Sequence, residues 1–320
     1  MLFMDTTVKN QLSEIQCEAL LATFGERLQR SVSLGRFTAA RIGGAADWLI
    51  AVESTDKLAE TVTQLWGLEI PFRVLGSGSN VLVSDAGVRE VVLLNKAQQI
   101  RFDLESSPPS AWAESGANFG LLARQAASRG LSGLEWAAGV PGTVGGAVYG
   151  NAGAHGSDVA ATLQAAEILL RSTDGIQRQH WPAEHFEFSY RASQIKRVRQ
   201  DAVILSAQFR FQLGNPEAIK AQMDEYNAYR RRTQPPGASM GSIFKNPPGD
   251  YAGRLIEAAG LKGTCLGGAE ISLVHANFFV NSEGATASDV IQLIQLAQRT
   301  VAEKFGVELE LEIELIGDDV

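Results

Sequence analysis

Cysteine, histidine and any excess of basic residues are scarce in this 320-residue chain. Two cysteines, Cys17 and Cys265, cannot build a disulfide framework, and neither lies in a CxxC or other metal-ligand spacing. That points to a reducing compartment and to a fold that rests on its own apolar core. The four histidines show no ligand spacing either, so no metal site is expected. Acidic residues outnumber basic ones 36 to 28, and the net charge of −8 opposes the clustered positive surface that nucleic acid requires. The one basic run, Arg230-Arg231-Arg232, fits the last turn of a helix, where cations meet the negative end of the dipole, or a site that awaits a phosphate. No stretch reaches the roughly 18 uninterrupted apolar residues of a membrane span. The opening MLFMDTTVKN lacks a basic segment followed by an apolar one. A cytoplasmic protein without membrane or nucleic-acid partners is the expectation, and nothing predicts an oligomer.

Glycine is plentiful, at 32 residues, and it punctuates an α+β pattern. Residues 1–35 read as a helical lead-in, with Leu12, Ile15, Leu20, Leu21 and Phe24 at helical spacing. Residues 36–95 hold short strands at Trp48 to Val52, Phe72 to Leu75, Val81 to Val83 and Val91 to Leu94. One helix interrupts them, with Leu58, Val62 and Leu65 on a face and Gly67 beyond it. Residues 96–213 hold a helix capped at Asn118 and strands at Ala166 to Leu170 and Val203 to Phe209. At the next boundary, Gly214, Asn215 and Pro216 supply a turn, a cap and a first-turn proline for a helix bearing Ile219, Met223, Tyr226 and Tyr229. Residues 214–320 continue with a loop at Ser242, a helix from Tyr251 to Ala259 capped by Asp250 and closed by Gly260, and a strand at Asn277 to Val280. A helix from Ser288 to Lys304 follows, ended by Gly306. The final GVELELEIELIG alternates strictly and predicts a strand with Glu310, Glu312 and Glu314 on its polar face.

Three segments carry chemistry. VLGSGSNVLVSD, Val74 to Asp85, sets Gly76, Ser77, Gly78, Ser79 and Asn80 between two strands, where successive N–H groups form a concavity for an anionic oxygen. It is neither a Rossmann nor a Walker loop, since a strand follows it and no lysine is in place; a plain hairpin is the alternative. AGVPGTVGGAVYGNAGAHG, Ala138 to Gly156, is glycine-dense beyond the needs of a turn and suggests a ligand running along bare backbone. Two such loops without a magnesium-binding aspartate pair favour a bound dinucleotide pyrophosphate. Met240 to Gly263, MGSIFKNPPGDYAGRLIEAAGLKG, adds a hydroxyl, an ammonium and an amide in Ser242, Lys245 and Asn246.

Together these segments resemble the UDP-N-acetylenolpyruvoylglucosamine reductase family. The resemblance is carried by RIGGAADWLI from Arg41, LGSGSN from Leu75, GVPGTVGGAVYGNAGAHG from Gly139, YRAS from Tyr190, GSIFKNPPGDYAGRLIEAAGLKG from Gly241, HANFFVN from His275 and LELEIELIG from Leu309. The motifs run in order through nearly the whole chain and match the shorter subtype, which lacks a tyrosine-bearing insertion. Ala45, His155 and Glu270 depart from the family pattern.

The resemblance implies an α+β FAD-binding fold of the vanillyl-alcohol-oxidase type in two subdomains, with a C-terminal α+β substrate-binding domain. It implies non-covalent FAD, NADPH as co-substrate and a UDP-sugar enolpyruvate as substrate. Its catalytic residues would be Ser242 as proton donor, Arg191 on the substrate carboxylate and Glu312 beside the intermediate; alternation alone does not choose among the three glutamates. Arg41, Gly76, Ser77, Gly78, Ser79, Asn80, Gly142, Thr143, Gly145, Gly146, Asn151 and Gly153 would hold the cofactor. Arg191, Arg231, Arg232, Lys245 and Asn246 would meet substrate. A different flavoprotein on this fold, and a non-catalytic protein of wall assembly that keeps the FAD loops, are the competing readings.

Overall fold

The computed structural model describes residues 11–318. The chain divides into two compact units, one made of Met1–Ala51, Thr61–Leu94 and Gly237–Val320, the other of Val52–Glu60 and Asn95–Pro236. The fold is α+β, as expected.

In the first unit the lead-in is helical only over Glu14–Phe24, and the chain turns into a strand at Leu28–Ser33. Residues 1–10 of that lead-in lie outside the described residues. Ser13 and Gln16 form a reciprocal capping box at the start, and Gly25 at φ 47° ends the helix early. Helical spacing overstated its apolar face: Leu20 and Phe24 are buried, but Ile15 and Leu21 are exposed. Leu28–Ser33 pairs antiparallel with Ala45–Val52, and Phe72–Leu75 runs parallel to Val88–Asn95, within one four-stranded sheet.

A second four-stranded sheet of this unit, in the order Ala238–Ser242, Phe278–Asn281, Ala269–Ile271, Cys265–Leu266, is antiparallel throughout. Helices Ala252–Ala258 and Ala287–Phe305 contribute Leu255, Ile256, Val290, Leu293, Ile294, Ala297 and Val301 to a core with Met240, Ile243, Phe244 and Phe279. Each fully buried Phe, Leu or Ile there contributes about 1.5–3 kcal/mol. The long helix keeps the predicted face and ends at Gly306, whose φ of 66° suits glycine.

The C-terminal tail departs from expectation, since only Glu314–Ile316 forms a regular strand, parallel to Val81–Val83. Upstream the tail divides its hydrogen bonds. Glu310 O accepts from Lys245 N at 2.9 Å, Glu312 N donates to Ile243 O at 2.8 Å, and Glu314 N donates to Asn80 O at 2.9 Å. A segment handed from one neighbour to another is too briefly paired with either to make a long ladder. Leu309, Ile313 and Ile316 still anchor it in the core.

The second unit is built on a five-stranded antiparallel sheet in the order Gly175–Pro182, Leu163–Ser172, Ala202–Arg210, Ser110–Glu114, Ile100–Asp103. The two central strands are the ones legible in the sequence; the edge strands GIQRQHWP and IRFD have too few apolar residues to announce themselves. Helix Phe119–Ala127 starts at Asn118, whose side chain accepts from Leu121 N at 2.7 Å. Phe119 packs against the rings of Trp136 and Phe209. Helix Pro216–Thr233 has Asn215 as its cap and Pro216 in its first turn, as the sequence implied.

Candidate functional site

The loop from Gly76 to Asn80 is not a hairpin. The strand before it pairs with Val88–Asn95 and the strand after it with the C-terminal tail, both in parallel, so the loop is a crossing between two sheets. Gly78 has φ +58°, and a Cβ there would stand 2.3 Å from Phe37 O and 2.8 Å from Thr38 Cα. Glycine is therefore required by backbone on one side of the loop. Gly78 O accepts from Ala39 N at 2.9 Å, which ties the loop to the turn that carries the exposed Arg41. Among the described residues, none accepts a hydrogen bond from the amides of Ser77, Gly78, Ser79 or Asn80. Successive open amides in a turn form an anion cradle, and a dinucleotide pyrophosphate such as that of FAD fits them.

Ser242 is not in a loop but is the last residue of the strand Ala238–Ser242. Its register slips there: Ser239 faces Val280 while Ser242 faces Phe278, and Gly241 takes φ 79° to absorb the extra residue. Such a bulge re-aims the side chain that follows it. Downstream, Ile243, Phe244 and Lys245 lie between Asn277 on one side and the Glu310–Glu312 segment on the other. Ile243 N donates to Asn277 O at 2.9 Å and Ile243 O accepts from Glu312 N. Asn80 Nδ2 also donates to Glu312 O at 3.1 Å. The glycine loop, the residue after Ser242 and Glu312 are thus joined by direct hydrogen bonds.

Lys245 and Asn246 have local partners that the sequence did not reveal. Lys245 Nζ pairs with Glu310 at 3.0 Å, and because Glu310 is largely exposed the pair stabilises by no more than about 1 kcal/mol. A substrate anion can replace so weak a partner. Asn246 Oδ1 accepts from Ala252 N at 3.1 Å and so tethers the start of the helix that Asp250 was expected to cap. Asp250 instead accepts from Tyr251 N at 2.7 Å and pairs with Arg254, whose hydrogen bond holds its carboxyl down at about 2.

In the second unit, Arg191 stands in a turn closed by Ser189 and Ala192, with φ 56° and its Nη1 on Gly153 O at 2.9 Å. Asn151 is buried and saturated: Nδ2 donates to Asp158 Oδ2 and Ser189 O, both at 3.0 Å, and Oδ1 accepts from Ala160 N at 3.1 Å. It fixes the turn that carries Arg191. Thr143 caps a short helix, Val144–Tyr149, inside the second glycine segment. The amides of Val144 and Gly145 already donate to Ala117 O and Ser115 O, at 2.8 and 2.7 Å. A Cβ on Gly145 would stand 2.9 Å from Ser115 Cβ, and one on Gly153 would stand 2.8 Å from Ser157 O. Protein packing accounts for these two glycines, whereas Gly146 has open space and Gly142, at φ 133°, has a backbone that side chains avoid.

Two features of this unit escaped the sequence. Arg231 and Arg232 are exposed, but Arg230 is half-buried with its Cδ 3.0 Å from where a Gly139 Cβ would be, and burial pulls its pKa below the usual arginine value. Beside it, His155 stacks on Tyr226 with ring centroids 4.1 Å apart, its pKa lowered by burial and then by the Arg230 charge. A period-3.6 pattern marks which helix face is apolar and gives no signal for a cation folded under a loop. Among the described residues there is no cluster that could hold a metal. No helix is long and apolar enough to cross a membrane.

Residues 46–177 match the FAD binding domain family, which agrees with the open amide cradle and makes the chain a flavoprotein. Residues 233–316 match the C-terminal domain of UDP-N-acetylenolpyruvoylglucosamine reductase. The reductase of Chloroflexus aggregans is 42% identical over 294 residues, covering 90% of this chain and 97% of that protein. That of Rubrobacter xylanophilus is 45% identical over 285 residues, covering 89% and 94%. The crystal structure of the Thermus caldophilus reductase superposes with a TM-score of 0.76 at 38% identity, covering 91% of this chain and 99% of that one. The chain belongs to the UDP-N-acetylenolpyruvoylglucosamine reductase family and is an FAD-dependent oxidoreductase.

Proposed function

We propose that the protein reduces UDP-N-acetylglucosamine-enolpyruvate to UDP-N-acetylmuramate with NADPH, in the cytoplasm, for peptidoglycan precursor synthesis. Bound FAD supplies hydride transfer, accepting from NADPH and donating to the enol-ether double bond. Hydride addition leaves negative charge on the carbon beside the substrate carboxylate, so the protein must offer a proton and offset that charge. Ser242 Oγ donates the proton, and Glu312 lies beside the charge as it develops. Arg191 holds the carboxylate with a planar fork that matches a planar anion. Lys245 and Asn246 contact the substrate, and Arg231 or Arg232 meets its diphosphate. Arg41, the Gly76–Asn80 amides and the Gly142–Gly153 segment hold FAD, without a covalent link. Both partners are small anionic molecules, and the net charge of −8 speaks against nucleic acid.

The observation that carries this reading is the 2.8 Å bond from Glu312 N to Ile243 O, which sets a candidate acid and a candidate charge stabiliser side by side next to the glycine cradle. Ser242→Ala tests it by stopped flow. Flavin reduction by NADPH is expected at the wild-type rate, while reoxidation by the enolpyruvyl substrate falls by at least about 100-fold, the scale of general acid catalysis. Equal slowing of both half-reactions removes Ser242 from the proton-donor role. Reduced wild-type enzyme that stays reduced until oxygen enters supports a different flavoprotein.

A further inference from the structure

We propose that Asn277 is a positioning residue that holds the Ser242 hydroxyl on its line of proton delivery, an inference that rests on Ser242 being the proton donor. Asn277 is 3% exposed and spends every one of its polar groups on this segment or its own support. Its Oδ1 accepts from Phe244 N at 2.9 Å, and its Nδ2 donates to Phe244 O at 2.8 Å. Its carbonyl accepts from Ile243 N at 2.9 Å. One side chain and its own backbone thus grip the two residues that follow Ser242 through three hydrogen bonds.

The grip is needed because of the bulge. Between Ser239 and Ser242 the register with Phe278–Asn281 is broken, and Gly241, with no atom within 4 Å of a Cβ, places no side chain to resist rotation. Upstream of Ser242, therefore, the backbone has freedom; downstream it is fixed by Asn277. The Asn277 amide is itself held, since it donates to His275 Nδ1 at 3.2 Å. His275 packs edge-on against Phe278 at 5.0 Å and over Gly253, where a Cβ would come within 2.9 Å of its Cε1. The chain of support runs from helix Ala252–Ala258 through His275 and Asn277 to the Ser242 strand. No other side chain type repeats the Asn277 pattern at this length. A serine would be too short to reach both Phe244 groups, and an ionised aspartate would set a charge against the Phe244 carbonyl.

That last point supplies the test. Asn277→Ala and Asn277→Asp, with Ser242→Ala and the Ser242→Ala/Asn277→Ala double variant, are assayed for FAD content, for both half-reactions and for amide hydrogen exchange over residues 240–246. Both Asn277 variants are expected to keep FAD and to be reduced by NADPH within about twofold of wild type. Their oxidative half-reaction falls by about 100-fold, the scale of a 1 Å misplacement of a catalytic group. Exchange over 240–246 quickens in both. The aspartate variant alone recovers toward wild type as pH falls, because a protonated carboxyl, favoured by burial, again offers one donor and one acceptor to Phe244. The double variant is no slower than Ser242→Ala, since a misplaced hydroxyl and an absent one cost the same.

A wild-type oxidative rate in Asn277→Ala, alongside a crippled Ser242→Ala, overturns the inference and leaves the proton-donor reading standing. A normal oxidative rate in Ser242→Ala overturns that reading and this inference together. Parallel loss of both half-reactions or of FAD makes Asn277 a general support of the fold and overturns the positioning role. Should Asn277→Ala fail to fold, the pH recovery of Asn277→Asp decides: its absence overturns the inference.

Discussion

Gly78→Ala puts one atom in a place where only backbone can yield. The new Cβ would stand 2.3 Å from Phe37 O and 2.8 Å from Thr38 Cα, with no flexible side chain to swing aside. At φ +58° an alanine also costs about 1–2 kcal/mol for the left-handed backbone. Overpacking of this kind adds about 1–3 kcal/mol. The strain is relieved if the loop lifts from Phe37 and Thr38, at the loss of the 2.9 Å bond from Ala39 N to Gly78 O. Lifting disperses the amides of Ser77 to Asn80, so a strain of about 2–5 kcal/mol moves into the FAD affinity. At about 1.4 kcal/mol per tenfold, the dissociation constant should rise by about 30-fold to several thousand-fold. Titration of the apoprotein with FAD by flavin fluorescence measures it, with circular dichroism as the check on folding. Gly284→Ala is the control, because its φ of +66° carries the backbone cost but no atom lies within 4 Å. Wild-type FAD affinity in a well-folded Gly78→Ala protein would refute the cradle. So would an unfolding temperature that falls while the affinity of the folded apoprotein stays the same.

Arg191→Lys keeps the charge but loses the planar fork and the Nη1 bond to Gly153 O, so kcat/KM for the enolpyruvyl substrate should fall by more than about tenfold while NADPH reduction is spared; wild-type steady-state kinetics would refute the clamp. Burial, then the Lys262 charge, lower the pKa of His275 below its ordinary 6.5, and Nδ1 must stay unprotonated to accept from Asn277 N. Below that ordinary value the unfolded chain takes up a proton that the folded one refuses, so stability is full above pH 6.5 and declines as pH falls through it. Urea unfolding of wild type and His275→Asn between about pH 5 and 8 checks the sign, and the variant should show the shallower decline.

Much of this fold could be read from local signals because those signals are physically local. Asn118, Asn215 with Pro216, and Gly306 each satisfy or terminate a helix by groups within a few residues, and all three stand where the sequence put them. Central strands such as Leu163–Ser172 and Ala202–Arg210 are buried enough to show as apolar runs. The illegible parts depend on partners far away in sequence. GVELELEIELIG alternates like a strand, yet its pairing is parcelled out among Lys245, Ile243 and Asn80, over 60 residues or over 200 away, and only Glu314–Ile316 makes a ladder. Asn277 read as one residue of an apolar strand, and nothing in HANFFVN tells that its amide grips Phe244.

The two glycine segments show most clearly why composition is a weaker guide than hydrogen-bond accounting. Both looked like bare backbone laid open to a ligand. In the second, however, the amides at the start of Val144–Tyr149 are consumed by Ser115 and Ala117, and Gly145 is small because Ser115 needs the room. There glycine lets protein approach protein. In the first, Gly78 also makes way for backbone, but it does so on the side away from its function, and the amides from Ser77 to Asn80 keep their donors. A buried or half-buried N–H must find an acceptor. Four that find none within the protein, in a chain that matches an FAD binding domain over residues 46–177, are where an anionic cofactor has most to gain. The second segment serves differently: Asn151 and Gly153, pinned by their own neighbours, fix the turn from which Arg191 reaches. A glycine-to-alanine scan of both segments should therefore separate into FAD loss at Gly78 and loss of substrate turnover at Gly153, rather than one shared phenotype.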